Sequence, residues 1–592
     1  MTNRILLEVK NLETKFRNET ETVTAVDKVS FTVSRGETVG IVGESGSGKS
    51  ATALSIMRLI PKSSGKITGG QIIYNFESEE SSDLIQLPEN EMRKLRGNFI
   101  SMIFQEPMTS LNPVYTCGDQ VMEAILLHQK CSKKEAKEKT LDLFNQVQLP
   151  RPVSLFERYP HQVSGGQKQR VMIAMAMSCH PCVLIADEPT TALDVTVQAT
   201  ILDLMRKLQV EYNMGILFIS HDLNVIAELA DKVIVMYKGK IVEQGKVADI
   251  FSNPQHPYTK GLLACRPLLD TRLNILPTIS DFMRIDGEGN IVESSHSINE
   301  ITQQFIVTKE ERQTQHKELY SKEPILRVKN LKTYFPIKEG FFKRVTDHIT
   351  AVDDVTFDVY PGETLGLVGE SGCGKSTLGR SILRLIEPTS GEIIFRDRYI
   401  SNISAEELRL LRKDMQIIFQ DPYSSLNPRL TVSQAIMEPM EVHNILPNNK
   451  ARAKQVLELL KRVNMDKSYF HRYPHELSGG QRQRVCIARA LALNPKFIIC
   501  DESVSALDAS VQAQVLNLLN ELKKEFGFTY IFISHDLSVV KFMSDRMMVM
   551  NKGKIVEIGD ADDIYYNPQT DYTKKLISSI PKGQFKKSII SE

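Results

Sequence analysis

The chain has 592 residues, of which 42% are hydrophobic and 24% charged, and this composition is typical of a globular protein with several cores. Its 73 Lys and Arg residues balance 72 Asp and Glu residues, which excludes a broad basic surface and argues against a nucleic acid partner. No apolar run is long enough to span a bilayer and we find no signal peptide pattern, so we expect a cytoplasmic protein.

The sequence contains two copies of one domain. TAVDKVSF at Thr24 returns as TAVDDVTF at Thr350, and from the SGGQ stretch onward the copies are separated by a constant 314 residues, as between Glu188 and Glu502. Residues 266–323 have no counterpart and are polar. We therefore predict a first domain over 1–265, a C-terminal extension and linker over 266–323 that is partly ordered at most, and a second domain over 324–592 with its own extension.

Short apolar runs alternate with helical patterns in each copy. TVGIVG at Thr38, VLIAD at Val183 and ILFIS at Ile216 have strand composition, whereas VQATILDLMRKL at Val197 has helical periodicity. This alternation predicts βαβ units and an α/β fold, with a parallel sheet covered by helices.

A glycine-rich loop follows the first strand of this alternation in each copy. GESGSGKS at Gly43 and GESGCGKS at Gly369 both precede a helical stretch, which is the context of a phosphate-binding loop. We predict that the loop N–H groups surround the phosphates of ATP, that the lysine contacts the β and γ phosphates, and that the serine after it binds Mg²⁺. The predicted nucleotide-binding residues are Gly43, Glu44, Ser45, Gly46, Ser47, Gly48, Lys49, Ser50 and Ala51, and Gly369, Glu370, Ser371, Gly372, Cys373, Gly374, Lys375, Ser376 and Thr377.

Two acidic residues end a later apolar strand in each copy. Asp187-Glu188 and Asp501-Glu502 reach the sheet edge where nucleotides bind in such folds. We predict that Asp187 and Asp501 orient the Mg²⁺ ion and that Glu188 and Glu502 act as general bases toward the attacking water.

With VSGGQ at Val163 and LSGGQ at Leu477, the chain resembles a tandem nucleotide-binding subunit of an ATP-binding cassette (ABC) transporter. The resemblance covers nearly the whole chain apart from the linker. It implies two phosphate-loop ATPase domains, each with a mixed sheet core and a helical signature subdomain. In this family the SGGQ signature closes over the nucleotide held by the other domain, so neither half is expected to be a complete ATPase alone.

The resemblance implies two composite sites. Site one would combine Lys49, Ser50, Gln105, Glu188 and His221 with Ser478, Gly479, Gly480 and Gln481, and site two would combine Lys375, Ser376, Gln420, Glu502 and His535 with Ser164, Gly165, Gly166 and Gln167. His221 and His535 resemble the switch histidine, and Gln105 and Gln420 the glutamine that contacts the metal and the attacking water. The implied metal-binding residues are Ser50, Gln105, Asp187, Ser376, Gln420 and Asp501.

Two aromatic residues occupy the position that stacks on adenine in the family. These are Phe16 and Phe335, for which a purely structural role in the core is an alternative. Asp194 and Asp508 end the loops that the resemblance places across the seam between the domains.

A second, smaller repeat follows each cassette. NPQHPYTKGLL at Asn253 and NPQTDYTKKLI at Asn567 resemble the C-terminal extension of oligopeptide, dipeptide and nickel importers, although either stretch alone also fits a surface turn followed by a helix. The resemblance implies an ATPase that energises peptide import at the cytoplasmic face of the inner membrane, with two permease subunits, an extracytoplasmic binding protein and no direct contact with the solute. Import of nickel or another small solute and a ribosome-associated tandem cassette are the alternatives.

The eight cysteines give three expectations. Some relatives carry an iron–sulfur cluster in the first extension, but only Cys265 lies there, so we predict none. Cys179 and Cys182 have redox-motif spacing but align with a helix-to-strand turn. Cys373 lies among phosphate-binding N–H groups, which predicts a thiolate.

Overall fold

The computed structural model describes residues 4–17, 22–76, 80–105, 110–191, 193–268, 270–286, 291–294, 297–339 and 344–581. The strands up to residue 293 are β1 (Ile5–Arg17), β2 (Thr22–Ser34), β3 (Thr38–Val42), β4 (Gly65–Asn75), β5 (Ser81–Asp83), β6 (Ile100–Ile103), β7 (Val183–Asp187), β8 (Gly215–Ile219), β9 (Lys232–Tyr237), β10 (Lys240–Lys246), β11 (Met283–Ile285) and β12 (Ile291–Glu293). The helices up to residue 319 are α1 (Lys49–Ile56), α2 (Glu89–Leu95), α3 (Cys117–His128), α4 (Lys133–Gln146), α5 (Pro152–Phe156), α6 (Gly165–Met177), α7 (Val195–Tyr212), α8 (Leu223–Leu229), α9 (Val247–Ser252), α10 (Pro257–Ala264), α11 (Ile279–Phe282), α12 (Ile298–Gln303) and α13 (Lys309–Leu319).

The second half repeats the strands β1 to β10 and most of the helices that precede α11. Its strands are β13 (Leu326–Glu339), β14 (Arg344–Val359), β15 (Thr364–Val368), β16 (Ser390–Phe395), β17 (Arg398–Tyr399), β18 (Met415–Ile418), β19 (Phe497–Asp501), β20 (Thr529–Ile533), β21 (Arg546–Asn551) and β22 (Lys554–Asp560). Its helices are α14 (Lys375–Ile382), α15 (Ala405–Leu411), α16 (Pro422–Ser425), α17 (Val432–Val442), α18 (Asn449–Arg462), α19 (Gly479–Leu491), α20 (Ala509–Phe526), α21 (Leu537–Met543), α22 (Ala561–Tyr566) and α23 (Asp571–Ser578).

Each half is built on a six-stranded sheet and a four-stranded antiparallel sheet. The larger sheets have the orders β10-β9-β3-β8-β7-β6 and β22-β21-β15-β20-β19-β18, which are equivalent strand by strand. Five strands of each are parallel, and β10 and β22 pair antiparallel at one edge. The predicted α/β fold with a mixed sheet core is therefore confirmed. Strand β3 ends at the glycine loop and β7 ends at Asp187, so the two motifs meet at one edge of the sheet.

A helical layer is inserted between β6 and β7, and again between β18 and β19. Helix α4 begins where Ser132 and Glu135 form a capping box, and it packs with α3, α5 and α6 through buried side chains that include Ile125, Phe144 and Phe156. The signature serine begins α6, so this layer carries the SGGQ stretch and corresponds to the predicted signature subdomain.

The segment over 266–323 contains secondary structure among the residues that the structure describes. It contains α11 to α13 and the β11–β12 hairpin. Asn517 of α20 accepts a hydrogen bond from the Leu276 N–H at 2.9 Å and donates one to the Leu276 carbonyl at 2.8 Å, and all of these groups are buried. The expectation that this segment is partly ordered at most stays a prediction. The local sequence does not indicate these two contacts, because their partner is a side-chain amide on another domain.

Two arginines attach this segment to the second domain. Arg312, whose side chain is 10% exposed, pairs with Asp562 and with Asp560 at 2.9 Å, and it donates to the Asp545 carbonyl at 2.9 Å. Arg272 lies 3.5 Å from Asp562. We call Arg272, Arg312, Asp545, Asp560 and Asp562 the acidic docking cluster. Burial lowers the pKa of Arg312 to about 10, so the guanidinium stays charged at neutral pH.

Two of the three aspartates of the docking cluster, Asp560 and Asp562, have no acidic counterpart in the first half. The positions equivalent to Asp560 and Asp562 in the first half are Lys246 and Ala248, at the constant spacing of 314 residues. Neither a lysine nor an alanine side chain can accept a hydrogen bond from a guanidinium group, so Arg272 and Arg312 find these partners on the second domain.

Replacing Arg312 by Met is expected to lower the free energy of unfolding by about 2 to 3 kcal/mol, because Asp560 and Asp562 lose a largely buried partner. Urea titration and the rate of protease cleavage within 266–323 measure this. The control is Lys322→Met, which removes an exposed pair with Glu318 and should cost under about 0.5 kcal/mol. Equal midpoints for both variants would contradict the prediction.

Candidate active sites

The two glycine loops have the same left-handed backbone. Gly43, Gly46 and Gly48 have φ values of 149°, 78° and 102°, and the equivalent glycines of the second loop have values of 153°, 77° and 110°. A side chain at Gly43 or Gly48 would collide with a neighbouring backbone carbonyl. Glycine is therefore required at both ends of the loop, where the chain curls so that its N–H groups converge.

The lysine of each loop is buried and bonded to the loop itself. Lys49 Nζ donates to the Gly43 and Glu44 carbonyls at 2.8 and 3.0 Å, and Lys375 makes the same two bonds at the same distances. Helices α1 and α14 begin at these lysines without a side-chain cap. The first N–H groups of each helix therefore face the loop with no capping side chain, as binding of a phosphate requires.

Each loop serine meets the aspartate at the end of a neighbouring strand. Ser50 Oγ donates to Asp187 Oδ1 at 3.1 Å, and Ser376 Oγ donates to Asp501 Oδ1 at 2.7 Å. Burial raises the pKa of Asp187 to about 6, and it also raises that of Asp501. A buried carboxylate whose charge is poorly solvated favours a cation beside it.

A glutamate follows each aspartate and is bound by three partners in the first site. Glu188 Oε2 accepts hydrogen bonds from Gln105 Nε2 at 3.2 Å and Thr191 Oγ1 at 2.9 Å, and it lies 3.1 Å from His221 Nδ1. Burial alone would raise the pKa of Glu188, but the hydrogen bond and charge of His221 outweigh it and lower the pKa to about 2. Burial would lower the pKa of His221, yet Glu188 raises it.

The second site repeats this arrangement with one difference. Glu502 Oε2 accepts from Gln420 Nε2 at 2.8 Å and lies 3.5 Å from His535 Nδ1. Ser505, at the position of Thr191, donates to the backbone carbonyl of Glu502 and not to its carboxylate. Burial would raise the pKa of Glu502, but His535 lowers it, so both glutamates are ionised.

Both glutamates have a backbone conformation that is uncommon for this residue. Their φ angle is 48° in each half. Strain of this kind is concentrated at functional sites, where it fixes the direction of a side chain. The two copies therefore hold the predicted general base in the same strained position.

The glycine loops contact the opposite domain. The Ser45 N–H donates to Asp508 Oδ2 at 2.9 Å, and Ser510 pairs with the Glu44 carboxylate. In the second loop Thr196 Oγ1 donates to Glu370 Oε1 at 2.8 Å. The residues at the start of α7 and α20 thus cross the seam, as expected from Asp194 and Asp508.

Each signature forms a helix start. Ser164 and Gln167 form a capping box before α6, and Ser478 and Gln481 form one before α19. Gly480 leaves no space for a side chain beside Val511, which lies on the first turn of the helix that contacts Glu44. The signature of one domain therefore lies next to the residues that reach the other domain's loop.

The second loop borders a cavity of about 250 Å³. Lys375, Gln420, Glu502 and His535 line it, together with Asp194 of the other domain. Phe335 pairs across the strands with Ile349, which also lines this cavity, and Phe16 occupies the equivalent strand position opposite Val23.

Sequence reasoning missed a tyrosine in each site. The hydroxyl of Tyr258 accepts a hydrogen bond from the Glu44 N–H at 3.0 Å, and that of Tyr572 accepts one from the Glu370 N–H at 3.1 Å. Both tyrosines belong to the repeated NPxxxYT stretch. A surface role for this stretch is wrong for Tyr258, which is completely buried.

The predicted thiolate at Cys373 is wrong. Burial raises the pKa of this thiol, and Lys375 only partly opposes that effect. Cys373 is 7% exposed and packs among apolar residues, which the local sequence did not reveal. Among the described residues, no group of three or more His, Cys, Asp or Glu side chains is arranged to hold a metal ion.

The residues of both sites fit Mg·ATP. Ser47 Oγ and Asp501 Oδ2 are buried and have no hydrogen-bond partner within the described residues, although Arg380 lies 3.6 Å from the latter oxygen. Unpaired polar atoms beside a loop of converging N–H groups suit an anion and a hard cation. Ser50, Asp187 and Gln105 in one site, and their counterparts in the other, are the residues that would supply oxygen ligands to the ion.

We compared the chain with protein families, curated proteins and solved structures. The ABC transporter family matches residues 26–191 and 352–505, more than half of the chain, and the C-terminal region of oligopeptide/dipeptide transporters matches residues 242–285 and 556–591. The glutathione import ATP-binding proteins GsiA of Escherichia coli K12 and Shigella flexneri are 50% identical over 579 residues, 98% of this chain and 90% of theirs. A dimeric structure of the ATP-binding cassette MJ0796 with ADP and Pi is 31% identical and covers 40% of this chain and 98% of its own, with a TM-score of 0.37.

The duplicated sheets and glycine loops define a tandem phosphate-loop ATPase. The chain belongs to the ABC transporter family, and it carries the C-terminal region of the oligopeptide/dipeptide branch twice. The resemblance read from the sequence is confirmed. Within the described residues, no helix is both long and apolar enough to cross a membrane.

Proposed function

We propose that this ATPase energises the import of small peptides of the glutathione class through membrane-spanning permease subunits. The observation that carries the proposal is 50% identity to glutathione import ATP-binding proteins over 98% of the chain, including both copies of the C-terminal region. Two permease subunits would bind the ATPase at the cytoplasmic face of the inner membrane, and an extracytoplasmic binding protein would select the solute. The chain itself would contact neither solute nor nucleic acid.

The groove that would receive the permeases lies near Gln105 to Gln120 and Gln420 to Gln434. Residues 106–109 lie outside the described part of the chain. Helices α3 and α17 begin in these stretches, after caps by Thr116 and Thr431. Gln105 and Gln420 contact the catalytic glutamates, so a permease that moves either stretch would reach the site through one hydrogen bond.

The two ATP sites are proposed to be composite. Lys49, Ser50, Gln105, Glu188 and His221 would act with Ser478 to Gln481, and their counterparts in the second half with Ser164 to Gln167. Hydrogen bonds that cross the seam support this pairing, because Asp508 and Ser510 bind the first loop beside the second signature. Thr196 binds the second loop beside the first signature.

The chain's residues divide the work of hydrolysis. Bound Mg·ATP supplies the γ-phosphate that water attacks. Lys49 and Lys375 would exchange their loop carbonyls for phosphate oxygens, and Ser50 with Asp187 would hold the ion in the first site. Oε2 of Glu188 or Glu502 would accept the proton of the attacking water, while the histidine beside it fixes its orientation.

Co-purification and reconstitution test the proposed role in import. We expect two polytopic membrane proteins to accompany the chain from solubilised membranes, and ATP turnover in proteoliposomes to rise at least threefold with the binding protein and reduced glutathione. A Lys375→Ala variant is the control, because it lacks the second-loop cation and should show no such stimulation.

The same measurements separate the alternatives. Stimulation by Ni²⁺ but not by glutathione or short peptides would replace the proposed cargo with nickel. Ribosomal particles in place of membrane proteins would overturn the transport role altogether.

A further inference from the structure

The C-terminal extension of each cassette reaches its own glycine loop. In both halves a tyrosine hydroxyl accepts the N–H of the glutamate that follows the first loop glycine, at 3.0 Å from Glu44 and 3.1 Å from Glu370. These tyrosines lie 214 and 202 residues from their partners along the chain. The same tyrosine-to-loop contact therefore occurs in both halves, although the surrounding sequences differ. We attribute this contact to the NPxxxYT stretch that the halves share.

The turn that presents each tyrosine is itself fixed. Glu243 of β10 accepts hydrogen bonds from the Gln255 and His256 N–H groups at 2.8 and 3.1 Å. Glu557 of β22 accepts the equivalent bonds from Gln569 and Thr570 at 2.8 and 3.3 Å. Helices α10 and α23 begin directly after these turns, so the edge strand of the sheet determines where the hydroxyl lies.

The hydroxyls are suited to accept rather than to ionise. Burial raises the pKa of Tyr258 well above its usual range and raises that of Tyr572 to about 12. Tyr258 also packs against Tyr237 with ring centroids 4.5 Å apart, and it is fully buried. Each neutral phenol is therefore an acceptor for one loop N–H.

The glutamate that the tyrosine holds is also the residue that meets the opposite domain. The Glu44 carboxylate pairs with Ser510, and the Glu370 carboxylate accepts from Thr196. The backbone of this residue is thus bound by its own extension and its side chain by the other cassette. A loop without the tyrosine would lose the backbone anchor at the point where the other domain contacts it.

We propose that Tyr258 and Tyr572 are positioning residues of the two ATP sites. Each keeps one loop N–H turned toward the extension, so that the remaining N–H groups converge on the phosphates. This assigns a role in nucleotide binding to the NPxxxYT stretch. It rests on the ATPase activity and is independent of the transported solute.

The test is the double variant Tyr258→Phe/Tyr572→Phe of the full-length chain, assayed with Mg·ATP. The rings remain, but two partly buried N–H groups lose their acceptor, so we expect KM for ATP and the Kd of a fluorescent ATP analogue to rise about tenfold. We expect kcat to stay within about twofold, because the catalytic glutamates are untouched. Each single variant should weaken one of the two binding steps in the analogue titration.

Tyr530→Phe is the matched control. Tyr530 is fully buried and donates to the Leu519 carbonyl at 3.3 Å, away from the loop, so its loss should lower the unfolding temperature without raising KM. Glu243→Gln/Glu557→Gln is a second variant that loosens the presenting turns and should raise KM in the same direction by a smaller factor. An unchanged KM in the tyrosine double variant, or an equal rise of KM in Tyr530→Phe, would overturn the proposal.

Discussion

Replacing Glu188 and Glu502 together by Gln is expected to lower ATP turnover by about 10²- to 10⁴-fold, while ATP binding is retained. A glutamine amide donates a hydrogen bond to each carboxylate, and a threonine hydroxyl also donates to that of Glu188, so the carboxylate is the group that would accept the proton of water. A glutamine in its place cannot take that proton. Steady-state hydrolysis and equilibrium binding of Mg·ATP measure the two effects separately. Glutamine keeps the length of the side chain, so the strained backbone need not change.

The single variants decide whether both sites are active. We expect Glu188→Gln and Glu502→Gln each to leave at most half of the wild-type turnover. Glu525→Gln, which alters an exposed pair with Arg462, is the control and should have no effect. Wild-type turnover in either single variant of the catalytic pair would show that only one site hydrolyses ATP.

Ser478→Arg is expected to disable the site formed by the first glycine loop, although the serine belongs to the second domain. A long cation at the start of α19 removes the capping box and blocks close approach of a phosphate. Combined with Glu188→Gln, it should lower turnover no further than either change alone, because both act on one site. Combined with Glu502→Gln, it should lower turnover at least 100-fold, because both sites are then lost.

The reciprocal variant provides the control for this pairing. Ser164→Arg should behave in the opposite way, adding nothing to Glu502→Gln and abolishing turnover with Glu188→Gln. The contrary result is that each signature variant lowers turnover no further when it is combined with the glutamate variant of its own domain. Each half would then be a self-contained ATPase, and the composite sites would be wrong.

Much of the catalytic chemistry could be predicted from the sequence, because it depends on local order. A glycine loop between a strand and a helix determines its own backbone, and an acidic pair at a strand end is delivered to the sheet edge by topology. The sheets brought Asp187 to Ser50 and Gln105 to Glu188 as the motifs implied. The roles of these residues in hydrolysis stay predictions.

The remaining features depend on contacts between distant parts of the chain. The repeated NPxxxYT stretch was visible, but nothing local shows that Tyr258 reaches Glu44. The composition of 266–323 suggested a loose linker, because the partners of Arg312 lie more than 200 residues away. Cys373 was misjudged because its thiol is buried by side chains from other strands.

The acidic docking cluster makes the order of the two halves significant. Asp560 and Asp562 are present only in the second half, where Lys246 and Ala248 stand in the first. In a chain with the halves exchanged, the connecting segment would start from the domain that carries the acidic groups and would have to fold back onto it. The two halves are therefore not interchangeable in order, and a fusion of two copies of the first half would leave Arg272 and Arg312 without Asp560 and Asp562.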